Sequence, residues 1–182
     1  GLIERFLVYF SPKVLFIDGD PSGRHSVPDL GVLYYFSLVL IPLGLIYLVK
    51  QGTKESKFLL TWLILSPLPA VFSRDLVSIL RAINMVVPFV ILEALGLFVI
   101  LEFLKKFGSI WRNIGAALVS VVILFNFVIY LDRLFIHAPI ENSKYWLYGY
   151  KEALEGIDFK SYHKVVITDN FGQPYIYYLF YS

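Results

Sequence analysis

Four long apolar runs, separated by short charged loops, constrain this chain more than any other feature. Gly31 to Val49, Phe58 to Ser73 and Ile114 to Leu131 hold no Asp, Glu, Lys or Arg, and Ala82 to Leu101 holds only Glu93. A helix needs roughly 20 consecutive apolar residues to cross the hydrocarbon core of a bilayer. Inside lipid every backbone N–H and C=O must be bonded within the protein, which makes helices the expected form of such runs. The fold class that follows is mostly α: a polytopic membrane helical bundle of four transmembrane helices, with the chemistry confined to the segments between and beyond them.

Composition agrees. The chain is 58% hydrophobic, has a mean hydropathy of +0.69 and carries only 16% charged residues, against about 25% in a soluble domain. Tyr34, Tyr35, Tyr47, Trp111 and Tyr130 lie near the ends of the runs, and Trp62 lies early in its own. Amphipathic rings favour the headgroup level, so this placement fits helix ends at the interface. The chain has no cysteine, which excludes disulfides and thiolate metal sites. No basic stripe with interleaved aromatics is present, so nucleic acid is not an expected partner.

Residues 1–30 form a first region, an extracytoplasmic loop with an interfacial helix. LIERFLVYF is apolar but carries Glu4 and Arg5, is closed by Pro12 and is too short to span, which suits a helix lying in the interface. The following DGDPSGRHSVPD is turn chemistry. Residues 31–136 hold the four spans. The loops at 50–57 and 105–112 are dense in Lys and Arg and fall on one side of an antiparallel bundle. The positive-inside rule makes that side cytoplasmic. Residues 1–30, 74–81 and 137–182 are then extracytoplasmic, and the protein is a multi-pass component of the cell membrane.

Pro67 and Pro69 are expected to break the second span. SRDLVSILRAI is then expected to run as a short helix with Arg74, Ser78 and Arg81 on one face. Residues 137–182 read as the start of a soluble α/β segment. SKYWLYGYKEALEG has Ser143 as N-cap and Gly156 at its end, KVVITD reads as a strand and NFGQP as a turn. The first residue is not Met and the chain stops just after an apolar run begins, so it reads as an internal piece of a longer protein.

Three groups of residues carry potential chemistry. In DGDPSGRH, Asp18 and Asp20 make a D-x-D, a spacing that holds a divalent cation in sugar-transfer enzymes. The string also opens like an EF-hand loop with Asp29 at the twelfth position, but it lacks the bidentate Glu and has His25 at the eighth. The plainer reading is an Asp/Gly/Pro turn that bonds its own backbone. Arg24 and His25 beside these acids suit an anion. The second group is Arg74 and Arg81 with Asp75. Paired guanidinium groups at a membrane surface suit a phosphate, and snorkelling arginines at helix ends are the alternative. The third is Glu93, a lone acid within a span. Such a residue faces a cavity or a polar neighbour, with Asn84 and Asn126 as candidate partners.

FSPKVLFIDGDPSGRHSVPDLGVLYYF, LSPLPAVFSRDLVSILRAI, KYWLYGYKEAL and KVVITDNFGQPYIYYLFY follow one another in order along the chain. The series resembles the C-terminal half of family 39 glycosyltransferases, the membrane relatives of dolichyl-phosphate-mannose protein mannosyltransferases and of lipid A aminoarabinose transferases. The resemblance implies a GT-C architecture, a polyprenyl-phosphate-linked sugar as donor, a protein or glycolipid acceptor and transfer on the extracytoplasmic side. It places the GDxxxRH string on Gly19, Asp20, Arg24 and His25, and the RDxxxxxR string on Arg74, Asp75 and Arg81. Many relatives would have His where this chain has Ser78. Arg24, Arg74 and Arg81 would hold the lipid phosphate, and the family's catalytic acid would lie upstream of Gly1, so no catalytic residue is expected in this stretch. A divalent cation at Asp18 and Asp20 is the one cofactor the string admits. Two other functions compete. A transporter or flippase segment would show inverted repeats and broken helices. A non-catalytic membrane scaffold would not account for polar motifs gathered on one face.

Overall fold

The computed structural model describes residues 1–75, 77–170 and 172–181. Among these the chain is helical and no β-strand forms. Helix α1 spans Leu2–Val8 and is followed by a π-turn at Val14–Asp18. Helix α2 spans Ser37–Gln51 and α3 spans Lys54–Leu65. They are joined by a tight corner in which Gly52, at φ 60°, donates its amide to Leu48 O and Thr53 caps α3 by accepting from the Ser56 amide. Only glycine takes that left-handed conformation without strain, which is why α2 ends there. A short α4 covers Leu68–Val71, and a 3-10 turn at Leu80–Met85 runs directly into α5, Val86–Lys105. Helix α6 covers Ser109–Asp132 and continues through a π-turn into α7, Ala138–Glu141. Helices α8 (Tyr150–Glu155) and α9 (Pro174–Tyr181) lie beyond.

Two continuous helical runs are long and apolar enough to cross a membrane, Leu80–Lys105 with 26 residues and Ser109–Glu141 with 33. Four such helices were expected from the apolar runs, and this is corrected. The run beginning at Gly31 does not become helical until Ser37, leaving 15 residues in α2. The run beginning at Phe58 is cut after Leu65, where Pro67 and Pro69 remove amide donors and leave α3 with 12 residues.

The α/β expectation for residues 137–182 is also corrected. KVVITD forms no regular element, and among the described residues there is no strand for it to pair with; an isolated strand would leave its backbone groups unpaired. The expected helix from Ser143 to Gly156 is split into a 3-10 turn at Ser143–Trp146 and α8, with Leu147 (φ 58°) and Gly149 (φ 95°) in left-handed conformations between them. The segment SRDLVSILRAI does not form the expected helix either. Of its described residues, 73–75 and 77–79 lie outside any helix, and Leu80 onward forms a 3-10 turn. Arg74, Ser78 and Arg81 therefore share no helix face.

The core joins α1 to the bundle rather than leaving it apart. Tyr9, Leu15, Phe16, Leu48, Leu59, Ala70, Val71, Ala82, Met85, Phe89 and Leu92 form one buried cluster. Helix α6 contributes nothing to it, and no residue of α6 is buried. The tightest contact is the seam between α2 and α5. Its buried residues are Ser37, Leu40, Gly44 and Leu48 on one side and Pro88, Phe89, Leu92 and Gly96 on the other. A Cβ on Gly44 would meet the Leu92 carbonyl, and one on Gly96 would meet the Leu40 carbonyl. Small residues let apolar helices approach backbone to backbone, which is where packing rather than burial from water supplies the attraction. Glu93 closes the same seam by accepting from the Ser37 hydroxyl at 2.5 Å. The partners expected for it are elsewhere: Asn126 donates to Val122 O within its own helix, and Asn84 is exposed.

Candidate functional site

The described residues between Ser73 and Ile79 are held by three side chains distant in sequence. The Arg5 guanidinium donates to the carbonyls of Val71 and Ser73 through Nη1, and to those of Arg74 and Asp75 through Nη2, at 3.1 to 3.3 Å. Tyr9, almost fully buried, accepts the Ser78 amide on its hydroxyl at 2.9 Å. Asp20 accepts the Ile79 amide on Oδ2 at 2.7 Å and the Ser22 amide on Oδ1 at 2.8 Å. Ser78 and Ile79 immediately precede the 3-10 turn that opens α5, and amides at such a start have no helical partner. Tyr9 and Asp20 therefore cap the longest membrane-compatible helix of the core from across the fold.

This assigns Asp20 a task that engages both oxygens. Its side chain is 2% exposed, with the His25 Nδ1 at 3.9 Å from Oδ2. Asp18 is instead at the surface, paired with Lys13 at 3.2 Å. Asp29 pairs with Arg133 at 2.7 Å. The acids of the D-x-D and EF-hand readings thus go to three different partners. Among the described residues no three His, Cys, Asp or Glu side chains come together as a ligand set.

Arg24 and His25 are brought together at an open cleft of about 740 Å³, which Asp20, Ser22, Asp75, Ser78 and Tyr145 also line. Arg24 donates through Nε to the Tyr145 carbonyl at 2.5 Å. Arg81 is outside the cleft lining, donating to Ser73 Oγ at 2.8 Å and pairing with the Asp75 carboxylate. Arg74 is exposed and also outside the lining. Of the three arginines expected to act together, only Arg24 faces the cleft, and Arg81 acts on it through Asp75.

Arg24 and His25 also line a second, apolar hollow of about 350 Å³, with Leu33, Ile79, Ile83, Met85 and Phe89 among its walls. Polar cleft and apolar groove thus meet at one dipeptide. The dipeptide stands out in the sequence, whereas the groove and the contacts of Arg5, Tyr9 and Lys144, the last of which lines the polar cleft, carry no sequence signal. Arg5 and Tyr9 lie in an apolar segment whose residues look like interfacial packing. Comparison with family models, with curated proteins and with solved structures finds no match for the chain.

Proposed function

We infer that the chain is part of a membrane glycosyltransferase that takes its sugar from a polyprenyl-phosphate donor, as the resemblance to family 39 implies. The observation that carries the reading is the junction at Arg24 and His25, where a polar cleft opens beside an apolar groove. A lipid-linked phosphosugar has the same division. Its isoprenoid chain suits the groove, and its phosphate and sugar suit the cleft. In transfer, the acceptor hydroxyl oxygen bonds to the anomeric carbon as the bond from that carbon to the phosphate oxygen breaks. The electron pair and its charge go to the lipid phosphate, where the Arg24 guanidinium stabilises them. The hydroxyl proton goes to a carboxylate base. Asp20 is committed to two amides and Asp75 to Arg81, so the base is assigned to a residue outside this lining. The same reading makes the chain multi-pass, with loops 50–57 and 105–112 on the cytoplasmic side and the cleft on the other.

The test is transfer of radiolabelled sugar from polyprenyl-phosphate donors by the full-length protein in proteoliposomes. Arg24→Ala should reduce transfer at least tenfold while the protein still inserts, the scale of losing a charge-assisted contact in the transition state. Wild-type rates in Arg24→Ala, or no transfer from any polyprenyl-phosphate sugar, would overturn the reading. Single cysteines at Gln51 and Asp18, placed in a cysteine-free background, also report sidedness. Labelling of both from the same side would refute the orientation.

A further inference from the structure

We propose that Lys144 is a second phosphate-recognising cation of the cleft, so that the turn following the α6–α7 run is a working part of headgroup binding. The proposal rests on the donor reading above and extends it to a residue outside the motifs that suggested it. Lys144 lies in the 3-10 turn Ser143–Trp146 and lines the polar cleft together with Arg24 and His25.

The backbone that carries Lys144 is fixed on both sides. Asn142, itself buried, donates through Nδ2 to the Ser26 carbonyl at 3.1 Å. On the other side Arg24 Nε reaches the Tyr145 carbonyl at 2.5 Å. Between these two bonds Gly23 passes so closely that a Cβ there would strike the Tyr145 ring and the Asn142 amide. The turn and the loop at residues 20–26 are thus interlocked, with the Lys144 side chain set at the rim of the space they enclose.

The charges around it leave a place for an anion. Among the described residues neither Arg24 nor Lys144 has a carboxylate partner. The Lys144 ammonium lies 5.1 Å from the Tyr145 ring centroid, a cation–π contact that holds it without neutralising it. Of the acids in the lining, Asp75 is paired with Arg81, and Asp20, its side chain 2% exposed, turns its oxygens to two backbone amides. Arg24 spends Nε on the Tyr145 carbonyl and keeps its two terminal nitrogens. The two cations put a planar fork and a point charge on one cleft lining, the pairing that suits a phosphate monoester or diester. The apolar groove that shares Arg24 and His25 selects an amphiphile over a free phosphate.

The experiment measures binding of farnesyl phosphate and of uncharged farnesol to the full chain in maltoside micelles, which carry no phosphate. Lys144 is exposed, so its replacement leaves the fold intact, and an unchanged unfolding midpoint verifies this. Lys144→Ala should weaken farnesyl phosphate about tenfold, the effect of one charge-assisted hydrogen bond, and leave farnesol unchanged. Lys144→Arg should stay within about threefold of wild type, since the charge is kept. Farnesyl phosphate binding unchanged in Lys144→Ala but lost in Arg24→Ala would remove Lys144 from the site and leave the donor reading standing. Equal weakening of farnesol in Lys144→Ala would make its role structural and overturn the proposal. Equal binding of the two probes to wild type, with neither variant affecting farnesyl phosphate, would overturn the donor reading itself.

Discussion

Replacing Asp20 separates capping from metal binding. Its carboxylate is buried and accepts the amides of Ser22 and Ile79 at 2.8 and 2.7 Å. Asp20→Ala strips both amides of their partner. A fully buried donor left unpaired costs about 1–3 kcal/mol; both of these bonds are only partly buried, so the two together should cost about 1–3 kcal/mol. Asp20→Asn keeps one acceptor oxygen but turns an NH2 toward the second amide, and should lose about half as much. Reversible unfolding in mixed micelles, followed by tryptophan fluorescence, reads the difference, provided the transition is two-state. Calcium supplies the decisive second arm. A D-x-D metal site would stabilise wild type by RT ln(1 + [Ca]/Kd), about 2.7 kcal/mol at one hundred times Kd, whereas a capping Asp20 predicts no shift. A loss within about 0.5 kcal/mol in Asp20→Ala, the size expected of an ordinary surface change, would refute the cap. A calcium-dependent midpoint abolished by Asp20→Asn would refute it as well.

Two further outcomes test the framework around the site. Arg5→Ala should release the carbonyls of Val71, Ser73, Arg74 and Asp75 and accelerate amide exchange at Ser78 and Ile79 by about tenfold or more, as expected for loss of hydrogen bonds to a charged donor. Arg5→Lys should not restore protection, because an ammonium cannot span those carbonyls as a planar fork does, and wild-type exchange in Arg5→Ala would dismiss the clamp. Gly96→Ala should destabilise the bundle by about 1–3 kcal/mol through overpacking against the Leu40 carbonyl. Its sign is diagnostic, since alanine stabilises an open helical position by roughly 0.5–1 kcal/mol relative to glycine, and a gain in stability would show that α2 and α5 do not approach as described.

The sequence by itself determined the apolar helices and their punctuation. Long uncharged runs favour helix in an apolar medium, and two of the four runs became helices long enough to span; the Pro67–Pro69 pair acts locally on φ and on amide donors, so the break in the second run was legible from the residues alone. The Arg24–His25 dipeptide was legible too, because charge set in a Gly/Pro-rich turn is a local signal. What only the tertiary structure decided is where polar groups find their partners. Arg74, Ser78 and Arg81 have helical spacing, yet Arg5, Tyr9 and Asp20 capture carbonyls and amides of that segment from up to 70 residues away, and its described residues before Leu80 stay out of helix. Glu93 chose Ser37 over either asparagine because the Gly44–Gly96 seam brings the start of α2 against α5. KVVITD has strand composition but no neighbour, and a strand exists only as a pair. Lys144 sits in an unremarkable polar turn of the sequence and becomes part of the cleft because Asn142 and Arg24 pin that turn against the loop at residues 20–26. Periodicity and composition describe what a segment prefers alone. Hydrogen-bond partners and close backbone approach belong to pairs of distant segments, and the fold chooses them together.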